Sequence, residues 1–526
     1  MNSKQKTENS EQKNTESKTI HYSLFTIHSS SRGMTILLVV GFMGVFSLIL
    51  GTVTSYVFQQ SKYGRALYAR EQALAIAESG LEYYKWFLAH NPSILVGGVG
   101  LVSPYTFNLN DPESAQVGGA TITASPELQC GALQWIDLTS RGTADAAPNF
   151  PRTLFARYMK RSIAEYAYLY KSIVWFGSTN TGVGPYHSNN GIRMDGTNNS
   201  IVSAGVSTVW CDGTSNSLGC NGVSPNPPAG WKNGVFGNGT GSALWQFPAA
   251  TVDFDAMAVN FSILKGYAQA NGLLLNPTSV RLDNVQQGGT FTTVGATEQK
   301  GYHLKFLADG RVEVWRVTGT NANTSSSNTV RSYNSIEGAH LNHIIITSET
   351  LHGTYTIPAD CKLIYAEAKT WIEGTVSGKL TLVVADGGSF APDIILNNNI
   401  SYTTTDGTTG LTAIAEDSVH YGLVIPTNMS VRGIFVAQSG QYGRDCFRVC
   451  NGTVLPTAYN QYVLRNSLTT TGTLVSSQRG GLCWGNPCVS GFTTRSNNYD
   501  RILAFSPPPF TPSASADWGL QLWREQ

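Results

Sequence analysis

The chain is short of charge. Only 13% of its 526 residues are Asp, Glu, Lys or Arg, about half of what soluble proteins usually carry. Neither sign dominates: 35 basic residues face 34 acidic ones, a formal net charge of +1. Residues 1–33 hold five Lys/Arg and three Glu, so the remainder is near −1. No basic surplus is available to neutralise phosphates, which excludes nucleic acid as an expected partner. Phosphate loops, nucleophile elbows and zinc-finger spacings are also missing. So is any CxxC pair: Cys446-x3-Cys450 and Cys483-x4-Cys488 have no nearby His. No metal or other cofactor is expected. The paucity of charge does not mean disorder, because 41% of residues are hydrophobic and 10% aromatic.

What is present begins with a polar leader. Residues 1–30 are rich in Lys, Glu, Asn, Gln and Ser and cannot bury enough apolar surface to fold. Met34 to Phe58 then runs without a charge, long enough to cross a hydrocarbon core of roughly 30 Å. Lys4, Lys6, Lys13, Lys18 and Arg32 precede it. The N-terminus is therefore expected in the cytoplasm and the bulk of the chain outside. The run is too long for a cleaved secretory signal; a plain signal anchor is the simpler alternative. No proline interrupts residues 34–91. From 59 to 90, Tyr63, Ala66, Leu67, Ala73, Leu74, Ala77, Leu81, Tyr84 and Leu88 recur at three- and four-residue steps, predicting an amphipathic continuation of the same helix. Asn91-Pro92 supplies the stop.

On these residues the chain resembles PilX-type type IV minor pilins. Gly33 followed by Met34-Thr35 and an apolar helix is similar to a prepilin peptidase site. Ala77-Glu78-Ser79-Gly80-Leu81-Glu82 resembles the "A-E-x-G-L-E" end of the family's N-terminal region. The resemblance covers roughly residues 31–90. It implies cleavage between Gly33 and Met34, methylation of the new amine, and assembly with other pilin subunits through the helix. Major pilins usually have Glu at the fifth mature position, where this chain has Leu38. A buried amine lacking its carboxylate partner is costly. A minor or tip subunit is therefore expected.

The fold expected is mainly β behind one long helix. Val117–Ala124, Gln134–Arg141 and Arg152–Met159 read as strands of a small antiparallel sheet, region 93–170. From 171 the texture changes to short apolar triplets between Gly, Asn, Ser and Thr clusters, such as Leu363-Ile364-Tyr365, Trp371-Ile372 and Leu380–Val384. These predict a right-handed parallel β-helix over 171–450, interrupted by an insertion at about 205–340, with a β-sandwich as the competing architecture. Gly184-Pro185-Tyr186-His187-Ser188-Asn189-Asn190-Gly191-Ile192 resembles an opening found in large exported pilin-like proteins with β-helical exteriors. Within the insertion, 254–270 reads as a helix with Met257, Phe261, Leu264 and Tyr267 on one face. Residues 301–317 read as a hairpin turning at Asp309-Gly310. The Cys-, Pro- and Trp-rich tail 451–526 is expected to cap the coils.

The eight cysteines are even in number, and in an exported protein they read as disulfides, with free buried thiols as the alternative. Cys211 with Cys220, Cys446 with Cys450 and Cys483 with Cys488 are the candidate pairs; Cys130 has no close partner and is expected to reach another domain. Candidate chemistry is sparse. Asp253 and Asp255 would share a face if they lay on one strand, as paired carboxylates do in glycosidases, yet Asp255 also suits a helix start. His340 and His343 would share a face only on a helix, and Ile344-Ile345-Ile346 favour a strand. His187 is lone and suits hydrogen bonding within a coil. The chain is therefore read as a non-enzyme that presents its exterior for adhesion to a surface glycan or host ligand, or for fibre assembly. The alternative is a surface-anchored protein that binds or cleaves polysaccharide. A purely structural envelope protein is the third reading.

Overall fold

The computed structural model describes residues 34–98, 100–212, 218–223, 226–255, 260–276, 286–287, 290–291, 300–321, 329–386, 391–485 and 487–526. One helix runs unbroken from Met34 to His90. The chain forms two compact units, one ending at Tyr68 and the other running from Ala69 to Gln526. In the first, the only element described is the helix, and every large apolar side chain from Met34 to Phe58 is exposed.

The second unit holds a small sheet and a stack of coils. The sheet is five-stranded and antiparallel: Tyr105–Asn110, Gln116–Gln129, Ala132–Ala144, Arg152–Ser162 and, from the far end of the sequence, Ser513–Glu525. The three expected strands are there, each longer than the alternation had marked. The helix lies on this sheet through Ala69, Ala73, Ile76, Ala77, Gly80, Leu81, Tyr84 and Leu88, all buried. These pack on Ala120, Ile122, Ile136, Leu138, Leu154 and Ala156. Small residues set the spacing. A Cβ placed on Gly142 would lie 2.1 Å from the Ala73 carbonyl oxygen and 2.5 Å from the Ala77 nitrogen. One on Gly80 would lie 2.4 Å from Ser140 Oγ. Helix and strand backbones therefore approach more closely than any larger residue would allow.

The coils form one continuous parallel ladder. Leu273–Leu275 pairs with Leu363–Ala366, and the ladder continues through Lys379–Val384, Gly410–Ala415, Asn428–Gly443 and Leu464–Gln478. The next rung is not the next in sequence. Leu474, Val475 and Ser476 pair in parallel with Tyr168, Leu169 and Tyr170. From there the ladder proceeds through Tyr186–Ser188, Val202–Ala204 and Trp245–Gln246. The chain thus enters its own stack in the middle, winds out one way to about 246, and starts again at the opposite end. A second face repeats the junction, where Ser490–Asn498 lies between Leu464–Gln478 and Asn180–Gly182.

Leu363–Ala366 and Gly410–Ala415 are buried at every position. This is the pattern of a parallel sheet covered on both faces. Inside the coil are Ile364, Leu382, Leu411, Phe435 and Leu474. Outside, Leu363, Val383, Ile414, Ile434 and Val475 are covered by Ile163, Leu264, Ala268 and Leu503. The small sheet is also tied to the coils covalently, by the disulfide Cys130–Cys361. Beside it Gln129 Oε1 accepts the Lys362 N–H at 3.0 Å.

Several expectations are corrected. Residues 205–340 are not a single insertion: Val235–Phe236, Trp245–Gln246, Leu273–Leu275 and Gly301–Phe306 all pair into parallel ladders. Among the described residues, the excursions from the ladders include the hairpin Thr208–Cys211 with Gly230–Asn233 and the antiparallel strands between Arg311 and Thr356. Isolated short strands carried too little periodicity to be assigned to a coil. The helix expected at 254–270 is Phe261–Asn271, because Asn260 caps it by accepting the Ile263 N–H at 3.2 Å; Met257 lies outside the described residues. The tail 451–526 does not cap an end. It supplies the two strands at the centre of the stack, and Ser513–Glu525 then returns to the sheet.

Gly142→Ala is expected to destabilise the second unit by about 1–3 kcal/mol, since a backbone carbonyl cannot swing aside as a side chain can. Gly44→Ala, where nothing lies within 4 Å, is the control that should leave unfolding unchanged in a denaturant titration.

Candidate functional site

The residues singled out on the long helix divide by environment. Met34 and Leu38 are exposed, at 76% and 57%; Gly33 lies outside the described residues. Thr52 and Thr54 turn their hydroxyls back onto the Ile49 and Leu50 carbonyls at 2.8 and 2.7 Å. This leaves the surface of the apolar half without those two donors, as a lipid or a packed helix bundle requires. In Ala77–Glu82, Ala77, Gly80 and Leu81 face the sheet while Glu78 and Glu82 face solvent. Glu82 pairs with Lys85 at 3.0 Å. Half of that motif is therefore packing, and Gly80 has a steric reason to be glycine. An exposed aromatic group continues the helix surface: Tyr83 stacks on Tyr105 and Phe107, with ring centroids 5.6 and 5.0 Å apart, and Trp86 lies beside Tyr83 at 5.6 Å.

The eight cysteines form four disulfides: Cys130–Cys361, Cys211–Cys220, Cys446–Cys450 and Cys483–Cys488. Asp253 and Asp255 do not lie on a strand. Asp253 accepts the Asp255 N–H at 3.0 Å and Asp255 pairs with Lys171 at 3.2 Å, both exposed. His187 is buried between Ser203 Oγ, 2.8 Å from Nδ1, and Asn189 Oδ1, 3.1 Å from Nε2. Burial lowers its pKa. Among the described residues no group of three or more His, Cys, Asp and Glu is arranged to hold a metal.

One buried charged site is not assembled by the sequence reading. Asp445, 3% exposed, receives hydrogen bonds from Ser332 Oγ at 2.6 Å, Asn342 Nδ2 at 3.0 Å and Asn334 Nδ2 at 3.4 Å. His340 Nε2 lies 3.0 Å from it and His420 Nδ1 3.6 Å. Its neighbour Arg444, fully buried, donates to the carbonyls of Gly422, Leu423, Tyr462 and Val463. The cluster pins the excursion that holds Arg331–Asn334 and Gly338–Leu341 to the coils. Its partners are about 100 residues apart in sequence, so spacing gave no signal.

Burial opposes charge on His340, but the hydrogen bond and charge of Asp445, with Glu337, outweigh it and hold the pKa at about 9. Burial likewise opposes the Asp445 carboxylate, and His340, His420 and Ser332 more than offset it, so its pKa falls well below the ordinary value. His343 goes the other way. Burial, then Lys369, Lys300 and His340, lower it to about 3. At neutral pH His340 is thus protonated and His343 neutral.

No protein-family model matches this chain, and no curated protein does. Among solved structures, the chain is similar to the competence-associated pilin ComZ from Thermus thermophilus, at 13% identity and a TM-score of 0.26, covering 87% of this chain and 97% of that one. At that TM-score the functional assignment rests on this chain's own residues.

His340 keeps its proton to about pH 9 when folded and loses it near 6.5 when unfolded. Its stabilisation is complete below pH 6.5 and is lost as pH rises through 9. Stability of the native protein should fall across that window, and His340→Gln should flatten the slope in thermal unfolding measured between pH 6.5 and 9. His343 contributes only below 6.5 and with the opposite sign, and Lys379, which burial lowers to about 8, opposes the slope only from about pH 8 upward, so the slope between pH 6.5 and 8 reports His340.

Proposed function

We propose that the chain is a minor subunit of a type IV pilus or pilin-like fibre, cut between Gly33 and Met34 and assembled through its long helix. One observation carries the reading: a single 57-residue helix whose apolar beginning is exposed throughout while its later part is bedded on an antiparallel sheet. An exposed apolar helix surface of that length needs lipid before assembly and neighbouring subunits after it. The helix is long and apolar enough to cross a membrane. The leader, the Gly33–Met34 junction and the half-packed Ala77–Glu82 motif support the same reading. Other subunits, prepilin peptidase and the membrane are the partners it requires.

Leu38 supports a place where no subunit needs to receive the N-terminal amine, such as the tip. In this reading the coil stack is the part presented outside, for adhesion or for initiating the fibre, and it is not catalytic. The exposed Asp253 and Asp255, one held in a turn and one paired with Lys171, give little support to the carbohydrate-cleaving alternative.

Sequencing of the mature protein is expected to begin at Met34, N-methylated, and Gly33→Leu should leave the leader attached. Recovery of residues 1–33 on the surface-exposed protein would reject processing.

A further inference from the structure

The hairpin of Thr208–Cys211 and Gly230–Asn233 departs from the coils and has two unlike faces. Its inner face carries Val209 and Cys211, packed with Leu218, Cys220 and Phe236. The disulfide Cys211–Cys220 fixes that side. Strand alternation sends Thr208, Trp210, Trp231 and Asn233 to the other side. Thr208 stands opposite Asn233 and Trp210 opposite Trp231. All four are exposed, the indoles by 45% and 68%. Their rings meet edge to face, 5.6 Å between centroids at 72°.

An edge-to-face pair braces a hairpin but needs neither ring to remain in water. Here both remain there, flanked by a hydroxyl and a carboxamide. Neither strand places a charged side chain on this face, since Lys232 alternates to the other side, and the nearest charge in sequence among the described residues, Asp212 after the end of the strand, is acidic. An acidic polymer would find no cation there, and an apolar protein surface would leave Thr208 and Asn233 without partners. A neutral pyranose fits both halves. Its C–H face covers an indole, and its hydroxyls exchange hydrogen bonds with the flanking side chains. The disulfide-braced inner face holds the rings in place before binding, which lowers the ordering cost.

We propose that Thr208, Trp210, Trp231 and Asn233 form a binding face for the neutral sugar units of a polysaccharide. The proposal names the ligand class of the exterior domain, and it rests on that domain lying outside the cell.

The test titrates the full chain in detergent micelles with cellohexaose and hexa-N-acetylchitohexaose, reading tryptophan fluorescence, with heparin as the charged probe. Saturable binding of a neutral hexasaccharide and none of heparin is expected. Trp231→Ala should weaken it by about tenfold or more, the loss of one stacked ring. Trp231→Phe, which keeps a ring, should stay within about threefold of the native affinity. Peptide mapping of Cys211–Cys220 and an unchanged Tm show that the hairpin survives. If Trp231→Ala unfolds it, Asn233→Ala, with both rings kept, should still weaken binding severalfold. No binding of either hexasaccharide, equal binding by all variants, or a preference for heparin overturns the proposal. A mature N-terminus at Met34 alongside such a failure would leave the assembly reading standing.

Discussion

The coil stack depends on one seam. Every parallel strand offers unpaired N–H and C=O groups on each edge, and an edge left open inside a protein is costly. By starting in the middle of its own stack, the chain creates two such edges, one on the first coil and one on the last. Tyr168–Tyr170 against Leu474–Ser476, with Asn180–Gly182 against Ser490–Asn498, closes them on each other. The two halves, wound from segments some 300 residues apart, thereby become one core. The buried tyrosines Tyr168, Tyr170 and Tyr186 stack across the seam's first coils, and their burial pushes each hydroxyl's pKa upward. None of this is stable until residues near 475 have been made, so the contact order of the domain is high.

The second dependence is the close bedding of the helix. Gly80 and Gly142 remove the atoms that would otherwise hold helix and sheet apart. Ala73 and Ala77 add little bulk of their own. The sheet then buries Ile76, Leu81 and Tyr84 completely. This explains why an A-E-x-G-L-E pattern can serve both a fold and a family resemblance: the small and apolar positions answer to the sheet, while the glutamates answer to solvent.

Legibility followed the range of the interactions. The helix was readable throughout, because its determinants are local: an uncharged run, a three-and-four stripe and a proline stop. The strands at 116–129, 132–144 and 152–162 were readable from alternation, and the short triplets from 363 to 415 from their turn residues. The strand Tyr105–Asn110 was missed although its alternation is clear, with Tyr105, Phe107 and Leu109 partly buried. Three-residue rungs such as Leu273–Leu275 lack any period of their own. The Asp445 cluster and the return of Ser513–Glu525 to the sheet were beyond reach for another reason. Their partners lie about 100 and 350 residues away, and a single sequence does not record which distant segments meet.

The return of the tail has a mechanical consequence. Ser162 and Ser513 are register partners on adjacent strands, so the chain leaves the small sheet for 163–512 and returns to it at one and the same rung. Through the backbone alone, a pull on the coil stack transmitted to a helix held elsewhere would open the two strands at that rung like a zipper, one pair at a time. Cys130–Cys361 spans the same junction by a separate route. It acts as a strap in parallel with the rung and converts a peeling load into tension along a covalent bond.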